Sequence, residues 1–336
     1  MILRTIDEWI KTSGGRFIYD RKPENTIKFH MPITIDPIEE LFQPIVRKEC
    51  NLSRCFCAEV HNVHVIDGRV FDQTLSKEMA EFSTCGSMTM TERTCELQNA
   101  VHLVDVDAGE NYWHWMTTAL AKMVFVPEMT KDVRYIVNSL NCNFVLDSLT
   151  KLGINPSLCI ETYKHKNIYC KNLMLPSPLR DNDSVGTLFL RDKFRHGNLF
   201  KNRLYISRRG RRRILNESDV VSLLSPLGFQ VVHCENMSFE EQVKAFSCAD
   251  IVVAPHGAGL TNSIFVHPNS KILELRSPKY FGSCYWKLCN NLGFQYYSLF
   301  GEGDFPKTTE DLSRSVCADM VIDTNKLQKT LELMRI

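Results

Sequence analysis

The stretch "VVAPHGAGLTN" (252–262) holds the chain's most chemically suggestive residues. An apolar run ends at Pro255, and His256, Gly257, Ala258 and Gly259 then turn into the next segment, beginning with Leu260 and Thr261. Glycines let a ligand approach the backbone, and the free N–H groups of a helix start attract anions. His256 falls at the C-terminal edge of the run, where α/β folds bind ligands. These residues predict an anion site; a tight turn chosen only for packing is the bland alternative. Downstream, Glu274 interrupts the apolar "KILEL". A strand-end carboxylate one unit after a phosphate loop can accept from ribose hydroxyls or a base, or simply pair with Arg276.

Upstream, "RLYISRRGRRRILNE" (203–217) packs six arginines into eleven positions. Arg208 directly follows a β-rich run, and its planar fork of donors suits a phosphate. An arginine aimed at a diphosphate can stabilise that leaving group without a metal. The other arginines read, one by one, as a solvated charged loop.

A second cluster lies in "ENYWHWMTTAL" (110–120), where His114 sits among Tyr112, Trp113 and Trp115. Aromatic rings stack on sugar faces, and a histidine there can act as general base on an acceptor hydroxyl. A core histidine in an aromatic cluster is the competing reading. Asp105 and Asp107 ("DVD") could hold a divalent cation against a diphosphate, or Asp107 could serve as base. The triplet is common. His61 and His64 ("HNVH") lack further ligands at convincing spacing and read as a loop or strand pair.

Alternating segments must position these groups. In the second half, 203–207, 229–234, 250–255 and 270–275 read as strands, separated by helices over 216–228, 238–250 and 257–265. Ser238 and Glu241 form a capping-box pattern, and the near-continuous apolar 250–255 fits a parallel sheet covered on both faces. The tail 323–336 reads as a packing helix. In the first half, 100–107, 133–138 and 167–176 read as strands, and 111–125 and 143–153 as helices. The alternation predicts an α/β protein of two Rossmann-like lobes with a cleft between them. The proline, Asp, Asn, Ser and Gly run at 174–186 reads as a linker, giving lobes 1–180 and 181–336.

The 336 residues suffice for two cores. Lys plus Arg number 40 against 39 Asp plus Glu, so the arginine cluster is local and a dedicated nucleic-acid binder is disfavoured. No apolar run reaches membrane-spanning length, about 18 residues, and the first twenty residues lack a signal-peptide pattern. The expected location is cytoplasmic, or the Golgi or ER lumen if an N-terminal anchor has been removed. The 13 cysteines read mainly as free thiols, with a local disulfide among Cys50, Cys55 and Cys57 second. The four sequons, at Asn51, Asn182, Asn216 and Asn236, assign no compartment.

In order and spacing, residues of about 204 to 275 resemble the conserved domain of glycosyltransferase family 61. "NYWHW" resembles that family's first-lobe segment, and residues 1–100 match nothing recognisable. The resemblance implies a GT-B fold, an inverting mechanism, and a UDP-sugar donor held by the C-terminal lobe without a cofactor. It implies a glycan or glycoprotein acceptor and a transferred sugar of the xylose, GlcNAc or arabinose class. By position it assigns donor contacts to Arg208, to Arg212 or Arg213, to His256 through Thr261, and to Glu274. Acceptor contacts fall to Tyr112, Trp113 and Trp115, with His114, or failing it Asp107, as base. The alternatives are a metal-dependent transferase using Asp105 and Asp107, and a non-catalytic nucleotide-sugar or glycan-binding protein.

Overall fold

A computed structural model describes residues 2–22, 26–36, 49–83, 92–128, 132–180, 184–197, 201–280, 282–303 and 318–336. Two compact units emerge. One comprises residues 1–25 with 51–190, the other 26–50 with 191–336. Within the segment 26–50, the described residues 26–36 fall in the unit with 191–336. The helix Val185–Phe194 crosses the division between the units, and residues 174–176 complete the strand Ile168–Pro176. Positions 181–183, including Asn182, lie outside the described residues.

The C-terminal unit is the simpler. Its strands are β12 (Asn202–Ile206), β13 (Phe229–Val232), β14 (Ala249–Pro255), β15 (Lys271–Arg276) and β16 (Gln295–Phe300). They pair in parallel in the order β13-β12-β14-β15-β16, a doubly wound sheet whose order reverses between β12 and β14. Both faces are covered, which explains the unbroken burial of Ile251–Pro255. The helix Glu217–Leu224 follows β12, and Phe239–Ser247 follows β13 with the expected Ser238–Glu241 capping box. The segment after β14, Ala258–Phe265, winds as a 3₁₀ helix. The helix Cys284–Leu292, ended by Gly293 at φ 75°, leads to β16; neither was anticipated from sequence. The final helix, Thr324–Leu333, buries Leu327 and Leu331 with Val220 and Leu224 of this same unit.

The N-terminal unit departs from a simple Rossmann pattern. Its nine described strands form one mixed sheet. β8 (Cys95–His102), β9 (Arg134–Val137), β10 (Cys159–Glu161) and β11 (Ile168–Pro176) run parallel in the order β11-β8-β9-β10. On the other side of β11, the long strand β5 (Cys55–Ile66) runs antiparallel and pairs with β6 (Arg69–Asp72) and with β2 (Arg16–Arg21). β7 (Lys77–Met79) and β1 (Ile2–Arg4) complete the edge. The helix Ile6–Ser13, capped by Thr5 and Glu8, drives Ile6 and Trp9 into this core. His61 and His64 lie in β5 and bond Asn172 and Asn167 respectively, so they are sheet residues with amide partners. The architecture is therefore α/β, with a fully parallel five-stranded sheet in one unit and a mixed nine-stranded sheet in the other.

Candidate active site

Arg208 and His256 meet where the C-terminal sheet changes direction. Ser207 and Arg208 follow β12, and His256 and Gly257 follow β14, the two strands that flank the reversal. Arg208 Nη1 donates to the His256 carbonyl at 3.2 Å, and its Nε donates to the Arg211 carbonyl at 2.6 Å. Gly257 makes this approach possible. A Cβ at Gly257 would stand 1.5 Å from Arg208 Nη1, so a side chain there and this arginine position are incompatible. Its φ of 171° is ordinary extended backbone, so the glycine is needed for space. Leu260 N bonds Gly257 O at 2.9 Å. The amides of Ala258 and Gly259 lie ahead of that first helical bond, beside the guanidinium, as anion-binding helix starts present them. Leu260 and Thr261 have buried side chains, so a contact from either would be through backbone, a narrower role than the sequence suggested.

The arginine loop sorts into distinct roles. Arg203 Nη1 donates to the Leu227 carbonyl at 2.7 Å, and exposed Arg209 lies 3.9 Å from Glu235. Arg213 pairs with Asp319 at 3.0 Å through Nε, and its backbone N–H bonds the same carboxylate. Arg212 instead places its guanidinium 4.8 Å from the centre of the Tyr280 ring. Its buried Nε has no hydrogen-bond partner among the described residues. Arg212 also adopts a left-handed backbone, φ 60°, unusual for a long side chain and characteristic of strained functional loops. Of the two candidates, Arg212 carries the unspent donor and Arg213 is committed to Asp319.

Glu274 is not available to a ligand. It is 0 % exposed. One carboxylate oxygen accepts from His256 Nδ1 and the other from the Tyr296 hydroxyl. Arg276, equally buried, donates to Tyr296 at 3.3 Å and to the Gly282 carbonyl at 2.7 Å. Burial works against the Glu274 charge, but His256 and Arg276 outweigh it and hold the carboxyl below its ordinary value. Burial pushes the His256 imidazole down, with Glu274 opposing. Arg276 is a permanent cation, so the consistent state is an ionised Glu274 and a neutral His256 that donates Nδ1–H to it. That tautomer leaves Nε2 as an acceptor. Tyr280 and Tyr285 pack against the imidazole, at 4.3 and 5.0 Å between ring centres. In place of the expected ribose contact, the Glu274 carboxylate bonds His256 and Tyr296 in this structure.

In the N-terminal unit, His114 stands between both acids. Its Nδ1 is 4.0 Å from Asp105 and its Nε2 is 3.8 Å from Asp107, longer than hydrogen bonds. It is 32 % exposed, Asp107 65 %. Asn111 caps the start of this helix by accepting from Trp113 N. The helix runs Tyr112–His114, passes through a π turn at Trp115–Ala119 and tightens over Leu120–Phe125. π turns occur frequently at functional positions. Asn138, just beyond β9, clamps the backbone of Asp105, donating to its carbonyl at 2.8 Å and accepting from its N–H at 3.2 Å. Sequence reasoning missed Asn138; a lone strand-end asparagine carries no pattern. The aromatic neighbours are not a sugar platform. Trp115 is fully buried with its indole N–H on Ser148 at 2.9 Å, Tyr112 packs edge-on to Phe144, and Trp113 is also buried. They are core residues that fix the helix carrying His114.

Among the described residues no group of three His, Cys, Asp or Glu side chains is arranged to hold a metal. Cys55, Cys57, Cys95, Cys142, Cys159, Cys170, Cys234, Cys248, Cys284 and Cys289 are free thiols; the side chain of Cys50, the third cysteine of the expected local group, lies outside the described residues. No described helix is long and apolar enough to cross a membrane.

The fold and site define a class, an α/β protein with anion-binding groups converging at the reversal point of a parallel sheet. Residues 112–273, just under half of the chain, match the family model Glycosyltransferase 61. The resemblance read from the motifs is thereby borne out over the stretch from the His114 helix to β15, which is similar to glycosyltransferase 61. Among curated proteins it is similar to three from Oryza sativa subsp. japonica. Beta-1,2-xylosyltransferase XYXT1 is 34% identical over 73 residues, 21% of this chain and 16% of the relative. Beta-1,2-xylosyltransferase XAX1 is 38% identical over 76 residues, 21% and 13%. Beta-1,2-xylosyltransferase RCN11 is 28% identical over 75 residues, 22% and 14%. The matched segments thus span less than a fifth of each relative's length. These matches support a glycosyltransferase.

Proposed function

We propose that the chain is an inverting glycosyltransferase of GT-B type, moving a sugar from a UDP-sugar to a glycan or glycoprotein hydroxyl. One observation carries the donor site: Arg208 lies against Gly257, where a Cβ would displace its guanidinium, at the sheet's reversal point. In this reading Arg208, Arg212 and the Ala258 and Gly259 amides hold the diphosphate. They stabilise it as the glycosidic bond breaks, with no metal required. Neutral His256 accepts from a ribose hydroxyl through Nε2, held in that tautomer by Glu274. His114, flanked by Asp105 and Asp107, takes the acceptor proton as the oxygen attacks the anomeric carbon; either aspartate stabilises the resulting imidazolium. The relatives' names make xylose the first donor sugar to test.

The test is a panel of UDP-sugars scored for thermal stabilisation and for sugar transfer in EDTA. Stabilisation by UDP and transfer that survives EDTA are expected. Transfer abolished by EDTA and restored by Mn²⁺ would favour the metal-dependent reading with Asp105 and Asp107. UDP binding without turnover on any acceptor would favour a binding protein.

A further inference from the structure

The N-terminal unit contains a cavity of about 330 Å³ that none of the sequence motifs predicted. It lies at the C-terminal ends of all four parallel strands. His102 ends β8, Asn138 follows β9, Thr162 and Tyr163 follow β10, and Pro178 follows β11. In the order β11-β8-β9-β10 the chain steps outward from β8 to β10 and then returns to the other side of β8. This is the reversal point where open α/β sheets bind ligands, and the volume falls within the small-molecule range, about 300–1,000 Å³.

The lining selects a ligand chemistry. Asp67, Glu81 and Asp105 contribute carboxylates, and Lys122 contributes an ammonium. Lys122 is 1 % exposed, yet its ammonium makes a single hydrogen bond among the described residues, to the Val104 carbonyl at 2.6 Å. An ammonium carries three donors, so this buried cation has hydrogen bonds to offer beside an open space. Burial lowers its pKa to about 8, with Asp105 opposing. Asp67, which lies 3.7 Å from Lys166, Glu81, which accepts from the Ile6 N–H, and Asp105 together outnumber Lys122 in the wall and disfavour an anionic ligand. The mixture of acceptors and donors, with the rings of Phe82 and Tyr163 in the wall, suits hydroxyl groups on a compact ring. Gly109 allows the loop after Asp105 to close on this wall, because a Cβ there would meet the Tyr163 hydroxyl at 2.9 Å. Asp105 both lines the cavity and faces His114.

The geometry points to an acceptor subsite: this cavity takes a neutral, hydroxyl-rich sugar unit of the glycan whose hydroxyl is to be glycosylated. The inference rests on the transferase reading and deepens it. Sugar hydroxyls accept from Lys122 and donate to Asp67 and Asp105, placing the acceptor beside the proposed base. It replaces the role that sequence gave to Tyr112, Trp113 and Trp115.

Saturation-transfer NMR with xylotetraose, cellotetraose and the acidic tetragalacturonate tests it on the full chain. Lys122→Met is the direct variant, but loss of a buried partner can unfold the unit. Tyr163→Ala, at a position 48 % exposed, is therefore run beside it, with the UDP-induced rise in Tm read in parallel. The expected result is binding of a neutral tetrasaccharide that Tyr163→Ala weakens tenfold or more. Preference for tetragalacturonate, binding of none of the three, or neutral binding untouched by Tyr163→Ala would each overturn the proposal. Turnover of UDP-sugars is scored separately. Tyr163-dependent glycan binding without turnover would sink the transferase reading and leave the subsite standing.

Discussion

Gly257→Ala separates a role in space from a role in folding. The new Cβ would fall 1.5 Å from Arg208 Nη1 and 2.8 Å from its Cζ, so the guanidinium must leave. The displaced group is the end of a flexible side chain, and the backbone φ of 171° suits alanine. The folded state loses the Arg208 bonds to the His256 and Arg211 carbonyls, each about 0.5–1.5 kcal/mol net, or roughly 1–3 kcal/mol together. The donor site loses an arginine aimed at a diphosphate. A hydrogen bond to a charged group contributes about 1.5–3 kcal/mol, so UDP affinity should fall roughly ten- to hundred-fold. Calorimetric titration of UDP into Gly257→Ala, Arg208→Ala and the double variant measures this. The three should weaken binding alike, because both single changes remove the same contact. A folded Gly257→Ala protein with native UDP affinity would refute the reasoning, as would strictly additive losses in the double variant.

The remaining predictions concern the proton positions and the core. Folded His102 is fully buried and held near pKa 3, chiefly by burial and then by Lys122, against an ordinary 6.5. The unfolded chain thus takes up this proton first as pH falls below 6.5, and stability drops by about 1.4 kcal/mol per pH unit there. His102→Gln should recover about 2 kcal/mol of the loss between pH 7 and 5 in urea titrations; an unchanged slope would contradict the burial argument. Glu274, held below its ordinary 4.5, gives stability that is present above that value and lost as pH falls through its folded pKa. Glu274→Gln should lower stability at pH 7 by about 3 kcal/mol, because it leaves Arg276 uncompensated, and should flatten the acid limb below pH 4.5. An unaltered Tm would remove the buried pair from the account. His114→Gln should cut transfer by roughly 10²–10⁴ with UDP affinity intact; equal losses in both would place His114 in donor binding instead. Trp115→Phe removes a buried hydrogen bond to Ser148 and should cost about 1–3 kcal/mol of stability, while the acceptor KM stays unchanged. A raised KM at native stability would restore the aromatic platform.

The parallel unit was readable because each of its signals is local. Apolar runs marked β12, β14 and β15, the Ser238–Glu241 pair marked a helix start, and glycines marked the turn after β14. The helix Cys284–Leu292 and β16 were missed because "CYWKLCNNLGFQYYSLF" mixes aromatic and polar residues without a clean period. The N-terminal unit resisted for a different reason. Its sheet is held by antiparallel partners far apart in sequence, such as β5 with β11, and long-range register leaves no periodic trace. At the site, spacing located Arg208 and His256 but could not orient them. Glu274 faces inward because a buried histidine, tyrosine and arginine surround it, and those three residues are dispersed over the end of β14, β15 and β16. The Tyr112, Trp113 and Trp115 cluster was ambiguous between platform and core; Ser148 and Phe144, about thirty residues on, decide for core. Arg212 and Arg213 are adjacent in sequence, and residues far along the chain, Tyr280 and Asp319, tell them apart.

The donor site is the central claim, and a crystal structure of the chain with UDP tests it most directly. The account predicts the diphosphate against Arg208 and Arg212 and the amides of Ala258 and Gly259, with His256 Nε2 accepting from the ribose. A nucleotide bound away from the β12–β14 reversal point, with Arg208 still seated on Gly257 and touching no phosphate, would contradict it.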